Sequence, residues 1–285
     1  MSEALDRGEV GACCAAVFAN PAVRWLLDDE LHPGGEQLTR RLLSMVQPRP
    51  GERLLDVASG AGTTAILAAR EYGCAAVGID LGDQAIAGAR SAATDADVGA
   101  LVSFEVADAG LLPFAEASFD VVACECALCT FPDKLTALSE MRRVLAPGGR
   151  LALSDVVADH ERLPDDLRGT MATVACIGGA LTDGGYRQLL EHTGFVVLDS
   201  HSAEAEVAKV ADRVRSRLRA ARILGLDGLA PIEGGLRRAI ELAGEAERAI
   251  AGGALGYRLW AALAGSSGVS RAAGPPSAGG PAGGG

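Results

Sequence analysis

Seven cysteines and a set of acids at the ends of apolar runs are the residues of this chain whose types and spacing could do chemistry. Three thiols fall in Cys124-Glu125-Cys126-Ala127-Leu128-Cys129, another in Cys176-Ile177-Gly178-Gly179-Ala180-Leu181, and Cys13-Cys14 lie side by side near the N-terminus. Thiolates are soft ligands and prefer thiophilic partners to the hard cations that oxygen ligands hold. An odd number of cysteines without the spacing of a secreted scaffold points to free thiols or soft-metal ligands, not structural disulfides. Cys74 reads as a small buried hydrophobe. His32, His160, His192 and His201 fall in no motif loop and take surface or structural roles, which leaves Glu125 as the one competing general base.

The acids frame a glycine turn, Asp56-Val57-Ala58-Ser59-Gly60-Ala61-Gly62-Thr63-Thr64-Ala65. Glycines belong where the chain turns sharply and a ligand approaches the backbone closely. With Asp80 following 20 residues after Gly60, the turn also fits a dinucleotide site. Charge separates the two ligand classes. A diphosphate would be repelled by Asp56 at the mouth of the turn, whereas a cation would be attracted. S-adenosyl-L-methionine has no phosphate and carries both a sulfonium and an ammonium. Asp80 is placed for its ribose hydroxyls, and Asp108, followed by Ala109, for its adenine amino group.

Short apolar runs alternating with helical stretches must position these residues: Arg53–Val57 then Thr63–Tyr72, Ala75–Ile79 then Gln84–Ala93, Val102–Val106, Val121–Cys124 then Leu135–Leu145, Arg150–Ser154, then Gly185–Thr193 and Val196–Ser200. Such alternation predicts a doubly wound, mostly parallel α/β sheet with helices on both faces, its acids at the carboxyl ends of the strands. Before it, Val10–Phe18, Ala22–Leu27 and Gln37–Val46 read as helices of an N-terminal cap over 1–50. Residues 156–184 interrupt the rhythm and are expected to cover the site. Residues 205–264 are expected to be C-terminal helices, chiefly 205–224 and 235–251, and the Gly/Ala/Ser/Pro-rich tail 265–285 to be disordered.

D-x-x-S-G-x-G at 56–62, G-I-D at 78–80, A-D at 107–108, F-D-V-V at 119–122 and R-V-L-A-P-G-G-R-L at 143–151 resemble the successive motifs of class I S-adenosylmethionine-dependent methyltransferases. The resemblance implies a seven-stranded Rossmann-like sheet over 51–204. It also implies S-adenosyl-L-methionine as cofactor, held by Asp56, Ser59, Gly60, Gly62, Asp80, Leu81, Asp108, Ala109 and Glu125.

A narrower resemblance is carried by Glu125-Cys126-Ala127-Leu128-Cys129-Thr130-Phe131-Pro132-Asp133-Lys134, by Ser154-Asp155-Val156 with Leu163-Pro164, and by Cys176-Ile177-Gly178-Gly179-Ala180-Leu181. These are similar to features of arsenite methyltransferases. They imply that Cys126 and Cys176 bind the metalloid, with Cys13 or Cys14 as a third ligand, and that a thiol reductant such as thioredoxin or a low-molecular-weight thiol is a partner. The chain departs from that pattern where Thr63-Thr64-Ala65 replaces a cysteine and where Glu125 and Cys129 replace asparagines. Mercury, antimony, selenium or an organic thiol are other acceptors, and Cys124 or Cys129 other ligands. Trivalent arsenic on three sulfurs directs its lone pair outward, so in-line methyl transfer needs alignment and not a base.

Charge narrows the partners. With 37 acidic against 26 basic residues and a net charge of −11, the surface repels nucleic acid and anionic lipid, which leaves small molecules or metalloids. The first residues lack the basic and apolar regions of a signal peptide, and no apolar run is long enough for a membrane span, so a cytoplasmic location is expected. Two competing readings are a small-molecule C-, O- or S-methyltransferase with structural cysteines, and a soft-metal-binding or sensing protein.

Overall fold

The computed structural model describes residues 20–27, 32–168, 176–226 and 234–265. The expected helix Val10–Phe18, Cys13, Cys14 and the tail beyond residue 265 lie outside them.

Seven strands form one sheet: β1 (Arg53–Val57), β2 (Ala75–Asp80), β3 (Val102–Val106), β4 (Phe119–Glu125), β5 (Leu145–Ala158), β6 (Phe195–Ser202) and β7 (Leu255–Ala264). Their order is β3-β2-β1-β4-β5-β7-β6. The first five run parallel, and β7 lies antiparallel between β5 and β6. The helices are α1 (Pro21–Leu27), α2 (Gly35–Val46), α3 (Thr63–Tyr72), α4 (Asp83–Asp95), α5 (Lys134–Val144), α6 (Asp183–His192), α7 (Glu204–Ile223) and α8 (Gly235–Ala251). Among the described residues, no helix is long and apolar enough to cross a membrane.

Alternation along the strands divides the core in two. Leu54, Val121, Ala123, Ala152, Tyr257 and Leu259 face one layer, filled by α2, α3 and α4. Leu55, Val57, Val122, Cys124, Leu153 and Trp260 face the other, filled by α5 and α6. Parallel strands buried on both faces account for the continuous apolar runs in the sequence. Local signals fix the helix ends: Asp133 caps α5 by accepting the Thr136 N–H at 2.9 Å, and Thr182 caps α6 by accepting the Gly185 N–H at 3.0 Å.

Two sequence expectations change. Residues 255–264, counted with the C-terminal helices, form strand β7. Their alanine-rich composition favours helix, but hydrogen bonding to a strand on each side and burial on both faces outweigh that weak preference. The covering segment begins at 159 rather than 156, because β5 continues to Ala158 in register with β7. The helices expected at 205–224 and 235–251 are present as α7 and α8, and their Leu218, Ala221 and Leu236 pack together with Leu26 of α1.

Candidate functional site

The turn after β1 is built for a ligand. Gly62 has φ +81°, and a Cβ there would sit 2.5 Å from the Phe104 ring, so both backbone and space require glycine. Asp80 accepts the Gly60 N–H through one oxygen and the Gly82 N–H through the other, each at 2.9 Å, which fixes a half-buried carboxylate beside the turn with lone pairs to spare. Leu81 and Val106, at the ends of β2 and β3, are 54% and 50% exposed, an apolar opening where a flat ring could lie. Asp108 is exposed at its edge, beside half-buried Ala109, and accepts the Gly110 N–H at 2.8 Å. The buried Ser59 hydroxyl has no hydrogen-bond partner, which leaves it a donor and acceptor for a ligand. Apolar opening, paired acids and an orphan hydroxyl suit an adenosine bearing a cationic tail.

Asp56 lies deeper than its place in the sequence suggests. Only 2% exposed, it sits beneath the turn and accepts the Ala65 N–H of α3 at 3.2 Å instead of lining the mouth. Burial, then repulsion from Glu125, pushes its carboxyl up to about 8.

Glu125 ends β4 on the same face. Its Oε1 accepts from the Thr39 hydroxyl of α2 at 2.8 Å and from the Thr64 hydroxyl of α3 at 3.2 Å, and lies 3.4 Å from His32 Nε2. Its Oε2 accepts from the Ser154 hydroxyl of β5 at 3.4 Å, and Ser154 shares a 3.0 Å hydrogen bond with the Tyr257 hydroxyl of β7. One carboxylate thus joins the cap, the glycine-turn helix and three strands. Thr64, in the segment where a cysteine was expected, and Glu125, where an asparagine was expected, are partners.

The thiols gather just past β4. Cys176, from the segment after β5, shares a core layer with Cys126, Cys129 and Tyr257, close enough for these groups to influence one another's ionisation. The hydrogen bond to Cys176 and burial hold Cys126 well above the ordinary thiol range. For Cys129, the Cys176 hydrogen bond favours the thiolate, but burial and the neighbouring Asp155 outweigh it and the net shift is upward. Asp155 accepts the Cys129 N–H at 2.7 Å and the Val156 N–H at 2.8 Å. Burial raises Asp155 to about 6 even though the Cys129 hydrogen bonds pull the other way. The five described cysteines are all free.

Strain concentrates here. Among the described non-glycine residues, only six have positive φ, and three of them are Ala58 before the turn (φ 59°), Cys126 (φ 53°) and Cys176 (φ 61°). Left-handed backbone costs a side chain about 1–2 kcal/mol and persists where surrounding packing imposes it.

The structure places Cys126, Cys129 and Cys176 in one core layer, and among the described residues no three His, Cys, Asp or Glu side chains are grouped to hold a metal ion. Cys124 faces the opposite core layer as a buried hydrophobe. Sequence reading missed Asp155, Ser154, Thr39, His32 and Tyr257 as site residues. The Ser-Asp-Val run after β5 was a usable signal for two of them; Tyr257 was hidden with its strand.

A family model described as a methyltransferase domain matches residues 48–209. The 27-O-demethylrifamycin SV methyltransferase of Amycolatopsis mediterranei is 39% identical over 160 residues, covering 52% of this chain and 59% of that protein. The arsenite methyltransferase of Halobacterium salinarum is 34% identical over 173 residues, covering 57% of this chain and 42% of that protein. The chain therefore spans about half the length of the curated relatives it matches. Among solved structures, the 4+2 cyclase SpnF superposes with TM-score 0.72 at 20% identity over 93% of this chain and 98% of its own. Phosphoethanolamine N-methyltransferase 2 of Haemonchus contortus, in complex with S-adenosyl-L-methionine, superposes with TM-score 0.71 at 21% identity over 89% of this chain and 57% of its own. Since the family model matches more than half of its residues, the chain belongs to the methyltransferase-domain family, on the Rossmann-like fold of the class I S-adenosylmethionine-dependent enzymes.

Proposed function

We propose that this protein transfers a methyl group from S-adenosyl-L-methionine to a thiolate-bound metalloid, arsenite, in the reducing cytoplasm. The observation that carries this reading is that Cys126, Cys129 and Cys176 lie in one core layer at the carboxyl end of β4, the strand paired with β1 and its glycine turn. S-adenosyl-L-methionine supplies an electrophilic methyl whose bonding electrons stay with its sulfur while the arsenic lone pair forms the new bond. The protein's part is to hold arsenic on sulfur, aim that lone pair and exclude water. Asp80 and Asp108 orient the adenosine, and Asp56 favours the cationic end. Arsenic oxidised by methylation returns to the trivalent state by leaving two thiols as a disulfide, which a thiol reductant reopens.

Incubating the purified chain with methyl-labelled cofactor and arsenite, antimonite, mercuric ion, selenite or simple thiols tests this. Labelled methylarsenic is the expected product. Cys126→Ser and Cys176→Ser should abolish it while calorimetry still registers cofactor binding. Full activity in both variants would remove the metalloid reading.

A second reading is favoured by the buried Glu125, with His32 at 3.4 Å: a base for an organic hydroxyl, as in an O-methyltransferase. Glu125→Gln would then abolish transfer to an organic acceptor, and the cysteine variants would not.

A further inference from the structure

We infer that the groove between α2 and α7 binds a dianionic phosphate group, free or on a small ester, and that the bound group braces the cap helix from the side turned away from Glu125. Such a site is independent of which acceptor is methylated.

The cavity there has a volume of about 390 Å³, within the range of small-molecule sites. Leu38 of α2 and Val210 of α7 give it apolar lining, Arg41, Lys209 and Arg213 give it cations, and Glu206 is its single carboxylate. Acidic residues outnumber basic ones 37 to 26 in the whole chain, so this groove is a positive exception on a negative surface.

Neighbouring cations are neutralised locally. Arg40 is held by Glu36 at 2.7 Å and by Glu71 at 2.8 Å, and Arg215 pairs with Glu247. Among the described residues, neither Arg41 nor Lys209 has a carboxylate within ion-pair distance, although Glu206 precedes Lys209 by one helical turn. Arg213 donates to the Leu27 carbonyl at 3.3 Å, which anchors its guanidinium.

The charges are also separated along the groove. Gly34 and Glu206 meet at one end, where a Cβ on Gly34 would lie 3.1 Å from Glu206 Cγ. Arg41 and Arg213 each stand seven residues further along their helices, two turns or about 10 Å away. Two unpaired cations match a group that carries two charges at one point, and the guanidinium fork fits phosphate oxygens. Glu206 repels a second anionic group at the far end and accepts from a hydroxyl there instead. A phosphate is therefore favoured over a dicarboxylate.

Arg41 follows Thr39 by two residues, about 160° round the helix, so the groove lies behind the Thr39 hydroxyl that donates to Glu125 at 2.8 Å. Arg41 and Lys209 repel each other across the empty groove. A phosphate between them replaces repulsion with charge-assisted hydrogen bonds and ties α2 to α7.

Thermal unfolding of the full chain tests the site, at about pH 8 and constant ionic strength, with inorganic phosphate, glycerol phosphate, succinate or chloride. Both phosphates should stabilise saturably and chloride should not; the tighter of the two identifies the free ion or the ester as ligand. Arg41→Gln/Lys209→Gln should weaken phosphate binding about tenfold or more. Both side chains are exposed, so melting without ligand and cofactor affinity should be unchanged, which verifies the fold. Hydrogen exchange of the α2 amides should slow with phosphate in the wild type and not in the double variant. The site is refuted if phosphate gives no saturable effect, if succinate binds as tightly, or if the double variant keeps wild-type affinity. Binding that leaves α2 exchange unchanged would refute the bracing.

Discussion

Replacing Cys126 by glycine should leave a more stable protein than replacing it by alanine, and the same should hold at Cys176. Both residues sit at positive φ, 53° and 61°, where a Cβ costs about 1–2 kcal/mol and glycine costs nothing. Glycine loses about 0.4–1 kcal/mol of that advantage through the greater freedom of its unfolded chain. The net difference is about 1 kcal/mol in favour of glycine, roughly 2–4 °C in melting temperature for a chain of this size. Cys129 supplies the control. It lies in the 3-10 turn Leu128–Thr130 and is absent from the positive-φ set, so there the sign reverses and alanine should win by about 0.5–1 kcal/mol. Thermal unfolding by circular dichroism, on all six single variants at one pH, reads the three differences. Since each pair removes the same thiol, lost packing and lost sulfur bonds largely cancel within it. If alanine matches or exceeds glycine at both Cys126 and Cys176, the backbone is not strained there and strain plays no part in holding the thiols.

Further outcomes follow from the cofactor side and the cover. Asp56, raised from 3.8 to about 8 by burial and by Glu125, holds a proton in the folded chain that the unfolded chain has already lost. Its contribution to stability is therefore fully present below about pH 4 and declines as pH climbs towards 8. A cation binding nearby draws the proton off, so affinity for S-adenosylmethionine should rise over that window; Asp56→Asn should flatten both profiles, and an unchanged slope in the variant would refute this. Ser59→Ala removes a hydroxyl without a partner in the free chain, so melting should be unchanged or higher while cofactor affinity drops about five- to tenfold, near 1 kcal/mol, by calorimetry. Gly179→Ala drives a Cβ against the Cys129 carbonyl and should cost about 1–3 kcal/mol in thermal unfolding as well as arsenite uptake; a variant normal in both would mean that the cover is not locked onto Cys129.

The cofactor half of the site was legible because its signals are local. The turn 56–65 and Asp80 depend on residues adjacent in the chain or one strand away, and helix α3 falls at Thr63–Tyr72 as its sequence pattern predicts. The acceptor half depends on distant segments. Thr39 could have been noticed as a hydroxyl between Leu38 and Leu42 on the buried stripe of α2, but its partner Glu125 is 86 residues away. Tyr257 was out of reach, since Leu255–Ala264 becomes a strand only through β5 and β6. The depth of Asp56 was misjudged because spacing cannot say whether a strand-end acid faces the ligand or the helix behind it. Nor does any residue type announce the positive φ of Cys126 or Cys176.

That division explains why fold alone leaves the acceptor open. A 4+2 cyclase and an N-methyltransferase superpose on this chain about equally well, so what distinguishes its chemistry has to be sought where β4, β5 and β7 meet the cap and the cover. Two candidate chemistries lie there. Glu125 is buried, with one oxygen taken by the Thr39 and Thr64 hydroxyls and facing His32, and the other by Ser154, so acting as a base would require breaking contacts that join the cap to the sheet. The thiols are constrained in the opposite sense. Among the described residues no network joins them to the cap, Cys126 and Cys176 sit on strained backbone, and Cys126 is partly open. A ligand that bonds to a thiol here leaves the Glu125 network intact, whereas a substrate that uses Glu125 as its base must first dismantle it, and this asymmetry favours sulfur over the carboxylate as the group that meets the acceptor.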